Sequence, residues 1–271
     1  MIERIGRGGT GTVYRCVDPA TGAPIAVKVI HPELIALPEI GPTVLERVRR
    51  EADAAGKLDH PAIVPALGLG SDDETGAWYL AMEFVDGPPL SQVLRSGAIP
   101  VRRALSIVIP VAEALALTHA HGIVHRDVKP GNILIADGDR PKLTDFGVAH
   151  LSGSDITRRH GPVGSPSYAA PEQIRREDVD ARTDQFALGI VLFEMLAGRQ
   201  LFSGESIEAR IHSVLTYEPP FLGGPRGPCS DHLANVLRRM LSKSPAERYP
   251  GDAMLLDDLR RAAADSGAAA L

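Results

Sequence analysis

Aromatic residues are scarce in this sequence: six Phe, five Tyr and one Trp among 271 residues. A core must therefore rest on Leu, Val, Ile and Ala, and a hydrophobic content of 44% is enough to bury a substantial one. Cysteine is nearly absent. Cys16 and Cys229 stand far apart, with no metal-type spacing and no disulfide framework, the pattern of two reduced thiols in a cytoplasmic protein. A strong charge of either sign is missing too. A net charge of -5 offers no electrostatic footprint for nucleic acid or for an anionic membrane surface. Met1-Ile2-Glu3-Arg4-Ile5 lacks the apolar run of a signal peptide. Nowhere do about 18 apolar residues run together, as a membrane helix requires. The most apolar stretch, Phe186 to Ala197, is too short to span and is expected to be a buried core helix.

What is present falls into two halves. Thr12 to Val17 and Pro24 to Ile30 are short, β-branched runs separated by the turn Pro19-Ala20-Thr21-Gly22, so both are expected to be strands. Val44, Val48, Ala52 and Ala55 recur at helical spacing between Val44 and Leu58. Ile63-Val64 and Trp78 to Val85 read as two further strands around the turn Ser71 to Gly76. After the break at Asp86-Gly87-Pro88-Pro89, helical patterns take over: Leu90–Arg95, Val101–His121, Phe186–Leu196, Ile207–Thr216, Leu233–Leu241 and Ala253–Ala264. There is no internal repeat. The Ala-rich end, residues 263–271, is expected to fray.

Four segments carry chemistry. Gly6-Arg7-Gly8-Gly9-Thr10-Gly11-Thr12-Val13 has the GxGxxG spacing. Alone this is weak evidence, because glycines recur in turns and the spacing also occurs in dinucleotide-binding folds. Here another strand follows, not a helix, and a glycine hairpin can bring backbone amides close to the oxygens of a triphosphate. Lys28 sits inside an apolar strand, where a lysine needs a partner or a ligand. Glu51 on the following helix could pair with it and aim the ammonium at the α- and β-phosphates, with Glu46 as the nearest rival. His125-Arg126-Asp127-Val128-Lys129-Pro130-Gly131-Asn132 fixes five residue types at set spacing, so a chance match is remote. A hydroxyl is a poor nucleophile, and Asp127 can orient it and accept its proton. Lys129 can neutralise charge on the transferring phosphoryl group, and Asn132 can ligate a cation through its amide oxygen. Thr144-Asp145-Phe146-Gly147 follows, with Asp145 18 positions after Asp127, and supplies a hard anionic oxygen for a metal bridging phosphates. Phe146 is expected to pack inward and set which way Asp145 faces.

With Ala170-Pro171-Glu172 closing the next segment, these motifs in this order resemble the eukaryotic-like protein kinase superfamily, and are similar to its bacterial serine/threonine branch, over residues 2–262. The resemblance implies an α+β bilobal fold: a small antiparallel N-lobe sheet with one helix over residues 1–85, and a mainly helical C-lobe over 86–262. It implies ATP with Mg2+ (Mn2+ is also acceptable to such oxygen ligands) in the cleft between them. The ATP-binding set is then Ile5, Gly6, Arg7, Gly8, Gly9, Thr10, Gly11, Thr12, Val13, Ala26, Lys28, Met82, Glu83, Val85 and Leu134. Ile5, Val13 and Ala26 wall the adenine from above and Leu134 from below; Met82 is the gatekeeper, and Glu83 and Val85 offer backbone groups. The catalytic set is Asp127, Lys129, Lys28 and Glu51, with Asn132 and Asp145 on the metal. Glu172 is expected to pair with Arg248 and Asp184 to anchor the catalytic-loop backbone; without the other motifs these would read as a surface cation and a helix cap.

Lys129 and Gly164-Ser165-Pro166-Ser167-Tyr168 favour Ser/Thr over Tyr as acceptor, with Ser165 standing where the family usually has Thr. Arg126 resembles the arginine that holds a phosphorylated activation loop, here residues 148–163, with Thr157, Ser154 and Ser152 as acceptors and Arg158, Arg159 and His160 nearby. Protein substrates, and the chain itself, are the expected partners, with neither nucleic acid nor membrane among them. Only five residues precede Gly6, so either the first strand is short or the natural start lies upstream. No sensor domain or anchor follows, so an input is expected from a partner or from autophosphorylation. Two other classes stand beside the kinase reading: a pseudokinase acting as a binding module, against which Lys28, Asp127 and Asp145 all stand, and a small-molecule phosphotransferase, whose relatives generally lack the full Arg126, Lys129 and Ala170-Pro171-Glu172 set.

Overall fold

Alternating branched apolar residues make the first part of the chain a sheet. The computed structural model describes residues 3–36, 41–145, 166–225 and 227–266; in the helix over 41–57, the side chains at 43, 47, 50, 51, 53–55 and 57 are not described. Five antiparallel strands, β1 (Glu3–Arg7), β2 (Gly11–Val17), β3 (Pro24–Ile30), β4 (Ala66–Ser71) and β5 (Trp78–Glu83), lie in the order β1-β2-β3-β5-β4. Asp18 shapes the β2–β3 turn. Its carboxylate accepts from the Ala20 amide at 2.9 Å and the Thr21 hydroxyl at 2.7 Å, and Gly22 takes φ 73° to close it. Asp72 does the same for the β4–β5 turn through the Thr75 amide and hydroxyl.

Helices α1 (Pro32–Ile35) and α2 (Gly41–Lys57) follow β3, and α2 lies against β4. Val44 and Val48 of α2, one turn apart, pack with Ile30, Val64, Leu80 and Met82 as the N-lobe core. Ile63-Val64, expected as a strand, is instead a single bridge. Ile63 pairs in parallel with Leu143, and the Val64 amide donates to Leu143 O at 2.9 Å, so this segment ties the two lobes together rather than extending the sheet.

The second part is helical: α3 (Leu90–Val93), α4 (Val101–Ala120), α5 (Pro171–Arg175), α6 (Ala181–Ala197), α7 (Ile207–Thr216), α8 (Asp231–Met240) and α9 (Asp252–Asp265). A short hairpin of β6 (Ile133–Ala136) and β7 (Arg140–Leu143), absent from the sequence reading, interrupts it. Every residue of α6 from Thr183 to Leu196 is buried, which is why its apolar run shows no amphipathic period. It forms the C-lobe axis, packed by α4 and α8, on which α9 packs in turn, with Leu105, Val108, Val111, Phe193 and Leu237 in the core. Helix α9 runs to Asp265, one residue past the pattern expected to end at Ala264, with Ala263 of its last turn packed on the core. Among the described residues no helix is long and apolar enough to cross a membrane.

His119 links α4, α6 and α9. Its Nε2 meets Asp184 and its Nδ1 meets Asp252, each at 2.8 Å. Burial alone would depress this imidazole, but the two carboxylates raise it to about 9. A group charged more readily when folded stabilises fully below the unfolded histidine value, near 6.5, and that contribution is lost as pH rises through 9. The expected result is that the difference in melting temperature between wild type and His119→Gln, followed by calorimetry, is largest at pH 6 and shrinks by pH 9.5. A difference constant with pH would show that His119 is not charged in the fold.

Candidate active site

Each motif sits where one of these elements ends. The β1–β2 hairpin roofs a cleft of about 740 Å³ between the lobes. Inside the loop the Gly8 amide donates to Gly11 O at 2.9 Å. Gly11 presses on β3: a Cβ there would lie 2.5 Å from the Val29 carbonyl oxygen and 3.3 Å from Lys28 Cγ, so no larger residue fits without pushing the loop outward. Ile5, Val13 and Ala26 line the cleft from the sheet, and Leu134, on β6, lines it from the C-lobe. Met82 lies at its back, where the Thr144 hydroxyl approaches its sulfur at 3.9 Å. Val64, Phe84, Pro88 and Thr144 also line it, and sequence reading did not pick them out.

The connection after β5 closes one side. The Glu83 amide is already committed to Pro65 O at 3.0 Å, and its carboxylate holds Lys142 at 2.8 Å. Among the described residues the Val85 amide donates to no protein group. Gly87 packs so tightly on the Ile135 carbonyl that a Cβ would overlap it, which seats this connection on β6.

Lys28, on β3, is 4% exposed, and its ammonium lies 2.5 Å from Asp145 Oδ1. Burial would push the Asp145 carboxyl up, but the Lys28 ammonium, aided by Lys129, holds it below the usual aspartate range. Asp145 is therefore an anion, and it takes φ 62°, a conformation costly for a side-chain-bearing residue. The side chain of Glu51, the expected partner of Lys28, lies outside the described residues.

The catalytic-loop segment is held from below. Asp184, fully buried on α6, accepts from the His125 and Arg126 amides, both at 2.7 Å, and from His119. Arg126 takes φ 66° with its amide on Asp184 and its carbonyl accepting from Gln173 Nε2 at 2.9 Å, so side chains fix the peptide on both sides. That positive φ turns the chain so that Asp127 faces the cleft. Lys129 Nζ donates to Asp127 Oδ2 at 2.7 Å, and Asn132 Nδ2 donates to the Asp127 carbonyl and carboxylate at 2.9 and 3.0 Å. With its nitrogen so engaged, Asn132 keeps its amide oxygen available as an acceptor. Among the described residues no cluster of three or more His, Cys, Asp or Glu could hold a metal. The oxygens of Asn132 and Asp145 both line the cleft and are of the hard type that a divalent cation shared with ligand oxygens would accept.

Thr12 is the exception among the nucleotide residues. Strand pleating sends Gly11 and Val13 to the cleft and Thr12 to the other face, where its hydroxyl meets His31 Nε2 at 3.3 Å. Glu172 and Arg248 pair in the C-lobe as expected, at 2.7 and 2.8 Å, both about 1% exposed. Arg126 is exposed. Thr157, Ser154, Ser165 and Phe146 lie outside the described residues.

The protein kinase domain model matches residues 1–258. A serine/threonine-protein kinase PknB of Mycolicibacterium smegmatis is 36% identical over 265 residues, covering 96% of this chain and 42% of that protein. Serine/threonine-protein kinase Pkn1 of Myxococcus xanthus is 36% identical over 275 residues, covering 98% and 38%. PknB of Mycobacterium tuberculosis is 35% identical over 266 residues, covering 96% and 42%. The chain thus spans about two fifths of the length of the curated relatives it matches.

Proposed function

The chain belongs to the protein kinase family, and from that premise we propose that it transfers the γ-phosphoryl group of ATP to Ser or Thr hydroxyls of proteins. The observation that carries the reading is the convergence, along one 740 Å³ cleft, of buried Lys28 paired with half-buried Asp145 and the Asp127–Lys129–Asn132 cluster beneath a glycine-rich roof. Apolar Ile5, Val13, Ala26 and Leu134 suit a flat purine ring, and the Val85 amide suits one of its acceptor nitrogens.

In this reading Lys28 orients the α- and β-phosphates, and Asp145 with Asn132 holds the divalent cation. When bound, that cation neutralises the charge that builds on the phosphate oxygens. Asp127 orients the acceptor hydroxyl and takes its proton. Lys129, already 2.7 Å from Asp127, stabilises the transferring group. Two free thiols and an ATP substrate fit a kinase unit facing the cytoplasm. The exposed Arg126 and the presence of Ser154 and Thr157 support autophosphorylation within 148–163, where a phosphate could pair with Arg126.

Purified protein with Mg-ATP and no added metabolite is expected to phosphorylate itself or a generic basic protein on Ser or Thr, located by mass spectrometry. Lys28→Met is expected to lose that activity. Nucleotide binding without any transfer would favour a binding module instead, and phosphate appearing only on an added small molecule would sink the protein-kinase reading.

A further inference from the structure

The β2–β3 ladder runs from Val17↔Pro24 to Gly11↔Ile30 and stops there. Beyond it, one residue reaches back to the glycine-rich loop. The His31 amide donates to Thr10 O at 3.0 Å, and the His31 ring meets the Thr12 hydroxyl at 3.3 Å. Thr10 is 7% exposed and lines the cleft, whereas Thr12 faces away from it. His31 is also the N-cap residue of α1, which packs on α2, the helix that carries Glu51. Within the loop itself, among the described residues, the Gly8 amide donates to Gly11 O.

We infer that His31 is a positioning residue for the nucleotide: by gripping Thr10 through its amide and Thr12 through its ring, it fixes the half of the glycine-rich loop that approaches the phosphates, and joins that half to α1 and α2. The inference rests on the reading of the cleft as an ATP site. A hydroxyl can donate to a bare ring nitrogen or accept from a protonated one, so the contact survives either tautomer. Without it, His31 loses the one side-chain hydrogen bond it makes among the described residues, and the Thr10 carbonyl with the amides beside it becomes less well aimed. A single neutral hydrogen bond of this kind changes an equilibrium by about five-fold.

The test is a double-mutant cycle on the full chain, reading Mg-ATP affinity by calorimetry together with KM and kcat. His31→Phe and Thr12→Val are each expected to weaken affinity about five-fold, to raise KM for ATP correspondingly, and to leave kcat at saturating ATP within about two-fold. The double variant is expected to be no weaker than either single one, because both remove the same contact. His31→Gln, which keeps a polar atom near the position of Nε2, is expected to recover most of the loss. Additive losses in the double variant, or single variants with wild-type affinity, overturn the inference; so does a fall in kcat with KM unchanged. Wild-type protein that binds no nucleotide sinks it together with the reading it rests on. Wild-type protein that binds ATP but transfers nothing sinks that activity alone, and the affinities still decide the role of His31.

Discussion

Asp127→Asn is expected to lower kcat by about a thousandfold while Mg-ATP affinity and melting temperature stay close to wild type. The substitution preserves size and the ability to accept the Asn132 amide bond at 3.0 Å. It removes the two properties the reaction needs, a base for the hydroxyl proton and a negative charge facing Lys129 at 2.7 Å. Positioned general bases contribute roughly a hundred- to ten-thousandfold, and here the loss of the counter-charge to Lys129 adds to that. Steady-state kinetics with a generic basic protein, alongside nucleotide titration, separate the two effects. An unchanged kcat would remove Asp127 from the chemistry. A fall in both affinity and stability would mean instead that Asp127 holds the loop together, since its carbonyl and carboxylate both anchor Asn132.

The residues of this cleft were legible because chemistry fixes their type and their spacing. Asp127, Lys129 and Asn132 lie within one turn of chain, so their mutual contacts follow from local geometry alone. Lys28 meeting Asp145 across 117 residues of sequence is different: nothing local places them together, and the sequence pointed to Glu51 as the partner of Lys28 instead. Thr12 does not line the cleft because a loop motif names consecutive residues, whereas a strand sends alternate ones to opposite faces. Strand β4 escaped notice because Gly68 and Gly70 remove the side chains that alternation would show; pairing with β5 and packing by α2 define it instead. The β6–β7 hairpin was hidden by its shortness, four residues a strand, and by Pro141 within it. Val64 and Thr144 line the cleft for tertiary reasons: Val64 bonds across the lobes to Leu143, and Thr144 bonds within the C-lobe to Asn132.

Arg248→Ala is expected to lower the melting temperature by roughly 10 °C, following about 3–5 kcal/mol for breaking a buried pair at a few degrees per kcal/mol in a chain of this size. The cost lies less in the lost attraction than in what remains. Glu172, 1% exposed, would keep only the Thr183 hydroxyl at 2.8 Å as a side-chain donor. Burial pushes this carboxyl up and Arg248 holds it below the usual glutamate range, so its stabilising contribution is present above pH 4.5 and is lost as pH falls through the depressed value. In Arg248→Ala that protection disappears, and acid unfolding is expected to begin at higher pH. Replacing both partners by Met should recover only part of the loss. An apolar pair often matches a buried ion pair, but Arg248 also donates to the carbonyls of Ser242, Arg182 and Lys243, which would be left without it. Activity should fall below the melting range as well. Glu172 lies in the first turn of α5, whose Gln173 holds the Arg126 carbonyl at 2.9 Å, and the strained Arg126 peptide aims Asp127. Loosening the buried pair therefore loosens the base, and kcat measured well below the transition is expected to drop several-fold while nucleotide affinity, set mainly by the other lobe, stays near wild type. Equal falls in both would instead indicate general destabilisation.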